Sequence, residues 1–320
     1  GNLNNDIGVP LTLLRLRGAH RFAVIEMGMN HPGEIRYLAS LARADAVAIN
    51  NAQRAHAGHF ASVADIARAK GELFESLPAG VTACVNLDDA YAGLWQTLAG
   101  DARQIGFGWS QGEVHVTDCQ LHSDRVALTL ATPLGPIAAE IPAPGEHVAR
   151  NALTAVSLAI ALGVSASAIA QGLSQFAGAP GRLQRKLRAD GVLVLDDTYN
   201  ANPDSMRAAL RVLAAQPGAR HAVLGDIGEL GDGGPAMHAE VGAFARELGI
   251  DSLHGLGELS AHTVAAFGSG GQHYADLDAL LAGLAPLLHA PATVLVKGSR
   301  FMRMERVSAA LLGQAPAAAH

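Results

Sequence analysis

Cysteine is nearly absent: Cys84 and Cys119 are the only two in 320 residues, far apart and in no Cys-x-x-Cys pattern. This argues against a disulfide framework or a thiolate zinc site and suits a reducing, cytoplasmic setting. Excess positive charge is missing too. Lys and Arg total 23 against 29 Asp and Glu, and the net charge of -6 gives no global pull toward nucleic acid or an anionic membrane. The longest apolar runs, such as 192–195 and 293–296, are strand-length, whereas a bilayer span needs roughly 20 residues. No basic-then-apolar opening marks a secretion signal. The glycine fingerprint of a nicotinamide dinucleotide site fails because Gly106-Phe107-Gly108 meets Gln111 where the third glycine belongs. Nor does a Gly-x-x-x-x-Gly-Lys-Ser/Thr loop, whose amides and lysine cradle phosphates, occur in the chain.

What is present is an ordinary folded composition, 49% hydrophobic and 16% charged with both signs interspersed, which excludes general disorder. At about 150 residues per domain, the length suits two domains. The opening Gly1-Asn2-Leu3-Asn4-Asn5 lacks an initiator Met and reads as a cut; residues 313–320, rich in Ala and Pro, read as a frayed tail. Residues 22–26 have a strand pattern, followed by the turn His31-Pro32-Gly33 and a helical pattern over 34–41. A strand at 46–49 runs into a polar loop at 50–58 and a helix near 62–77, with Ser62 and Asp65 as its cap. From 81 to 141 short alternating strands, among them 114–117 and 126–130, predict a small antiparallel sheet hung on the α/β core. Helices follow at 147–162 and 165–176.

Ala179-Pro180-Gly181 then breaks the helical pattern and marks a boundary between a first domain, 1–179, and a second, 180–320. In the second domain, strands at 192–196, 221–225, 252–255 and 293–296 alternate with helices near 204–213, 236–248, 259–267 and 277–288. This order predicts a Rossmann-like, mainly parallel α/β sheet covered on both faces, with ligands outside the carboxyl ends of its strands. Those ends carry Asp196, Asp197, Asp226 and Lys297.

Three loops follow these ends. Asp196-Asp197-Thr198-Tyr199-Asn200-Ala201-Asn202-Pro203 leads into a helix, where Asp204 or Ser205 could serve simply as a cap. Gly225-Asp226-Ile227-Gly228-Glu229-Leu230-Gly231 is glycine-rich and could be a flexible turn. Lys297-Gly298-Ser299-Arg300 offers two cations, a hydroxyl and helix-start amides to an anion. Together the loops could hold a small zwitterion, cations facing its carboxylate and carboxylates facing its ammonium. In the first domain, Glu26 and His56 each follow a strand and could bind a divalent metal. His59 competes with His56 for such a role, and Lys70 is by default a solvated helix lysine.

Taken in order, six segments closely resemble the motifs of MurF-type Mur ligases. They are Gly1-Asn2-Leu3-Asn4-Asn5, Glu26-Met27-Gly28-Met29-Asn30-His31-Pro32-Gly33-Glu34-Ile35, Ala69-Lys70-Gly71-Glu72, Asp197-Thr198-Tyr199-Asn200-Ala201-Asn202, the 225–231 loop and Val296-Lys297-Gly298-Ser299-Arg300. The likeness covers nearly the whole chain. It implies that 1–179 is a partial central ATP-binding domain lacking its phosphate loop, and 180–320 the C-terminal domain of a three-domain parent. The domain that grips the UDP-sugar would be missing, and these 320 residues alone would have little or no activity. The implied reaction, in peptidoglycan precursor synthesis and hence cell-wall growth, shape and division, joins D-alanyl-D-alanine to a UDP-N-acetylmuramoyl tripeptide. ATP and Mg2+ are the implied cofactors, and an acyl phosphate the intermediate.

By the same resemblance, Glu26 and His56 would serve magnesium, and Lys70 matches a lysine that the family carbamylates into an anionic ligand. Asn151, Arg182 and Asp197 match nucleotide contacts. Asn200, Asn202, Asp226, Glu229, Lys297 and Ser299 would contribute to D-alanyl-D-alanine recognition. The chain departs from the family at His147-Val148-Ala149-Arg150-Asn151, where His-Asn-x-x-Asn is usual, and at Ala55-His56-Ala57-Gly58-His59-Phe60, where Ala-His-Leu-Glu-Gly-Phe is common. Another Mur or folylpolyglutamate-type ligase is the alternative within the class. A noncatalytic ligand-binding module and a dinucleotide-dependent oxidoreductase are the alternatives outside it.

Overall fold

The computed structural model describes residues 3–54, 60–75 and 77–314. Short helices α1 (Gly8–Leu13) and α2 (Glu34–Ala42) precede the first of two six-stranded sheets. That sheet is laid down by β1 (Ala46–Ile49), α3 (Val63–Gly71), β2 (Thr82–Asn86), α4 (Ala92–Ala99), β3 (Arg103–Gly108), β4 (Val114–Leu121), β5 (Val126–Ala131) and β6 (Ile137–Ile141). Helices α5 (Glu146–Ala161) and α6 (Ala166–Ser174) follow. The strands lie side by side in chain order, parallel from β1 to β4 and antiparallel from β4 to β6. Side chains alternate across the sheet: Cys84 joins Leu153 and Ile160 of α5 in one core, while Ala83 and Val85 join Trp95 of α4 in another.

Several expectations for this half change. The antiparallel strands are no separate sheet but the continuation of the parallel one, because β4 pairs with both β3 and β5. Helix α4 stands where strands were expected; its N-cap residue Tyr91 makes no side-chain capping bond, so the usual start signal is missing. Its anchor is Trp95, fully buried with Nε1 donating to Ala67 O at 2.9 Å. Residues 22–26 form no strand: no described segment pairs with them, and Val24 is 88% exposed. Helix α3 ends at Gly71, short of 77, but starts as read, with Ser62 Oγ accepting from Asp65 N at 3.2 Å.

The second sheet contains β7 (Gln184–Leu187), β8 (Leu193–Asp197), α7 (Pro203–Ala214), β9 (Ala219–Gly225), α8 (Gly234–Glu247), β10 (Ser252–Leu256), α9 (Ser260–Phe267), β11 (Gly271–Tyr274), α10 (Leu277–Leu284), β12 (Ala292–Lys297) and α11 (Glu305–Leu311). Its order is β11-β10-β9-β12-β8-β7, parallel throughout except for β7. Leu224 and Leu295 pack on the α7–α9 side, and Val223 and Val296 on the α10–α11 side. The sheet is thus covered on both faces, as its continuous apolar strands require. Strand β12 returns between β8 and β9, so the chain reverses its direction of travel there and opens a crevice at the carboxyl ends of those three strands. Among the described residues, no helix is long and apolar enough to cross a membrane.

Candidate active site

At the crevice, Lys297 closes β12 and Asp197 closes β8, and the parallel register sets them opposite each other. Lys297 Nζ lies 2.7 Å from Asp197 Oδ2 and donates to Asn200 O at 2.9 Å, with 3% of the lysine side chain exposed. Asp197 Oδ1 accepts from Leu183 N at 3.1 Å. Ser299 Oγ accepts from Gly228 N at 2.8 Å and donates to Ala201 O at 3.2 Å. The three strand-end loops are therefore knitted into one unit around Lys297 and Ser299.

The 225–231 loop is pinned rather than loose. Buried His238 accepts Ile227 N on Nε2 at 3.0 Å and donates from Nδ1 to Gly234 O at 2.9 Å. Burial lowers its pKa, favouring this neutral tautomer. Asp226 turns its carboxylate to the start of α9, accepting from Ser260 N at 2.7 Å and Leu259 N at 3.2 Å. Gly257, at φ 117°, makes room for it, since a Cβ there would sit 2.5 Å from the carboxylate. The cap of α7 is Asn202, not Asp204 or Ser205 as expected: Asn202 Oδ1 accepts from Ser205 N, and Ser205 Oγ accepts from Asn202 N in return.

The opposite wall belongs to the first sheet. Asn50 Nδ2 donates to Asn151 Oδ1 at 2.9 Å, and Thr154 Oγ1 donates to Asn50 Oδ1 at 2.6 Å, joining the end of β1 to α5. Asn4 Nδ2 donates to Glu26 Oε1 at 2.9 Å. Lys70 donates from Nζ to Asn51 O at 2.6 Å, and its burial lowers its pKa despite the attraction of Asp89. Between the walls runs a cleft of about 1600 Å³.

Glu26, Asn151, Arg182, Asp197, Asn200, Asn202, Glu229 and Lys297 all line this cleft. Lys70 and Ser299 stand behind the lining and hold its backbone at Asn51 and Ala201, whereas Asp226 is turned away from it to the start of α9. His56 lies outside the described residues. Among the cleft residues that had been given no role are His147, Tyr199 and Gln53. His147 lines the wall, its pKa lowered by burial. Tyr199 presents its ring to the Arg182 guanidinium at 4.4 Å. Gln53 precedes Arg54, which reaches across to Asp204 and Glu240. His147 and Tyr199 sat inside motifs already singled out, whereas Arg54 gave no local signal because its partners are 150 and 186 residues away.

The chain matches two family models, the Mur ligase middle domain over residues 1–159 and the Mur ligase, glutamate ligase domain over 181–300. It is 42% identical to the UDP-N-acetylmuramoyl-tripeptide--D-alanyl-D-alanine ligase of Escherichia coli (strain K12), over 97% of this chain and 70% of that protein. The Haemophilus influenzae enzyme of the same name is 39% identical, over 96% and 68%. A crystal structure of MurF from Acinetobacter baumannii superposes with a TM-score of 0.93 at 38% identity, covering 98% of this chain and 70% of that one. MurF ligase from Thermotoga maritima in complex with ADP shares the fold, with a TM-score of 0.83 at 23% identity, over 96% and 71%. On these matches, and on the two-sheet architecture that they share with it, the chain belongs to the Mur ligase family, in its MurF branch.

Proposed function

We propose that the chain serves ATP-dependent joining of D-alanyl-D-alanine to a UDP-N-acetylmuramoyl tripeptide in the cytoplasm, where the nucleotide-linked substrate and ATP are both found. Residues 1–179 form the central ATP-binding domain, and 180–320 the C-terminal domain that contributes contacts to both ATP and the acceptor dipeptide. The observation that carries this reading is the loop unit centred on Lys297. An ammonium has three N–H bonds; Asp197 and Asn200 O take two, and a dipeptide carboxylate would take the third. Glu229, on the same cleft lining as Asn200 and Asn202, supplies negative charge toward the ammonium end, and the two asparagines contribute to recognition of the dipeptide. Asp226 and Ser299 act by holding these loops in place.

On the nucleotide side we assign Asn151, Arg182 and Asp197, with Tyr199 holding the Arg182 plane. Among the described residues, no three His, Cys, Asp or Glu side chains gather to hold a metal. Magnesium commonly takes only one or two carboxylates and fills the rest of its shell with phosphate and water oxygens, so Glu26 on the cleft wall fits an ion carried in with ATP, and His56 is assigned to a second. Such an ion screens phosphate charge. Lys70, whose burial favours the neutral amine, suits carbamylation, because only the neutral amine attacks carbon dioxide.

In the reaction, a tripeptide carboxylate oxygen attacks the γ-phosphorus and ADP leaves. The dipeptide amine, having lost its proton, then attacks the acyl carbon, and the C–O bond breaks to release phosphate. The chain's contribution is to hold amine and acyl carbon together and to exclude water between the walls. With enzyme purified from its native source, ¹⁸O in the tripeptide carboxylate should appear in the released phosphate, one ADP forming per dipeptide joined. Release of AMP and pyrophosphate would overturn the acyl phosphate route. A polypeptide of these 320 residues, having no phosphate-cradling loop, is expected to hydrolyse little ATP by itself.

A further inference from the structure

Arg54 leaves the end of the β1 loop and crosses to the second sheet's helices. Its Nη2 lies 2.6 Å from Asp204 Oδ1 and 3.0 Å from Glu240 Oε1, its Nη1 lies 2.8 Å from Glu240 Oε2, and its Nε lies 3.3 Å from Asp204 Oδ2. The Arg54 backbone N–H also donates to Asp204 Oδ2 at 3.3 Å. Arg207 Nη1 holds Glu240 from the other side at 2.9 Å. The side chains of Arg54, Asp204 and Glu240 are 28–35% exposed, so the cluster is shielded more than a surface pair yet still within reach of salt.

The location matters more than the number of bonds. Asp204 lies two residues beyond Asn202, the cap that ends the acceptor loop, and Gln53 and Asp204 both line the cleft. At the far end of α7, about 18 Å away for a helix of 12 residues, the β4–β5 turn is held by a second clasp. There Ser123 O accepts from Arg185 Nη1 at 2.7 Å and Gln216 Nε2 at 3.0 Å. One helix is thus fastened to the first domain at both ends, by an ionic clasp beside the cleft and by a clasp on a backbone carbonyl away from it.

We propose that Arg54 is a positioning residue whose two-carboxylate clasp on α7 and α8 holds the nucleotide wall and the acceptor loops at working distance. Opening breaks this clasp first, while the Ser123 clasp serves as the pivot. The proposal rests on the ligase reading for its kinetic consequence but not for its structural one.

Spin labels at Gln96→Cys and Glu247→Cys, both on exposed positions, in a Cys119→Ser background, report the distance between the domains without any substrate. Arg54→Ala and, separately, Glu240→Gln should each lengthen and broaden that distance. Sodium chloride at about 1 M should do the same to the unaltered chain and add nothing to Arg54→Ala. In the active enzyme both variants should raise the KM for ATP and for D-alanyl-D-alanine by one shared factor, about tenfold for Arg54→Ala, with kcat changed less than about twofold, because both ligands need the closed form. Arg54→Lys, a point charge without the fork, should restore part of this. An unchanged distance in both variants and in salt overturns the proposal even if ligase activity is confirmed. So does a fall in kcat alone, which would mark a purely structural role. A distance change in an enzyme without ligase activity would retain the clasp and remove the ligase reading.

Discussion

Lys297 and Asp197 offer a perturbation whose size follows from the structure. Their contact is 2.7 Å, with 3% and 12% of the side chains exposed. Removing one member of such a pair strands the other charge in a poorly solvated place, at a cost of about 3–5 kcal/mol; replacing both with neutral groups of similar shape costs far less. Lys297→Met should therefore destabilise by about 3 kcal/mol and Asp197→Asn by about 2 kcal/mol, the latter less because Asn can still accept from Leu183 N through its amide oxygen. The double variant should lose less than the sum by at least about 1.5 kcal/mol. Both tryptophans, Trp95 and Trp109, lie in the first domain, so urea unfolding followed by far-ultraviolet circular dichroism is the suitable assay for the second. Losses that add within about 0.5 kcal/mol would refute the reasoning, since they would show that the charges do not depend on each other.

Three further outcomes follow from particular contacts. His254 is bonded from Nε2 to Ser252 Oγ and from Nδ1 to Tyr274 OH, and burial, with His221 nearby, pushes its pKa down to about 4. The unfolded chain then binds more protons than the folded one between about pH 6.5 and 4. Stability should be full above pH 6.5 and fall by about 2–3 kcal/mol as pH drops through that window, and His254→Gln should flatten the slope in urea titrations. Gly242→Ala should cost about 2 kcal/mol or more, because its Cβ would sit 2.0 Å from Thr263 O where α8 meets α9; an unchanged melting temperature would contradict that packing. Asn202→Ala should cost about 1 kcal/mol of stability for the lost cap, whereas Asn202→Asp should keep the cap and report separately on acceptor binding.

The sequence made the second sheet readable because its buried strands are continuous apolar runs between turn residues, as at 192–195 and 293–296. Its edge strands β7 and β11 went unread. Gln184–Leu187 and Gly271–Tyr274 are short, polar and half exposed, without the alternation that betrays a buried face. Residues 22–26 failed for the opposite reason: they are apolar enough for a strand, but strand formation needs a neighbour, and the described chain provides none. At the site, the loops were legible from their residue types and the strand ends that bear them. What each side chain does was not. Asp226 looked like a ligand group and anchors α9 instead; Lys297 looked like a free cation and is half spent on Asp197. Such pairings join residues 34 positions apart in the first case and 100 in the second, and arise only from the order and register of the strands. The Arg54 clasp is the extreme case, since neither its own neighbours nor any motif points to it.

The most direct test of the account is a calorimetric titration with D-alanyl-D-alanine, with L-alanyl-L-alanine as control, on the unaltered chain and on the Lys297→Met, Asp197→Asn double variant, which is expected to stay folded. Binding of the D,D dipeptide alone, lost in the double variant, is the expected result. Equal binding of both isomers, no binding of either, or undiminished binding by the double variant would contradict an acceptor pocket built around Lys297.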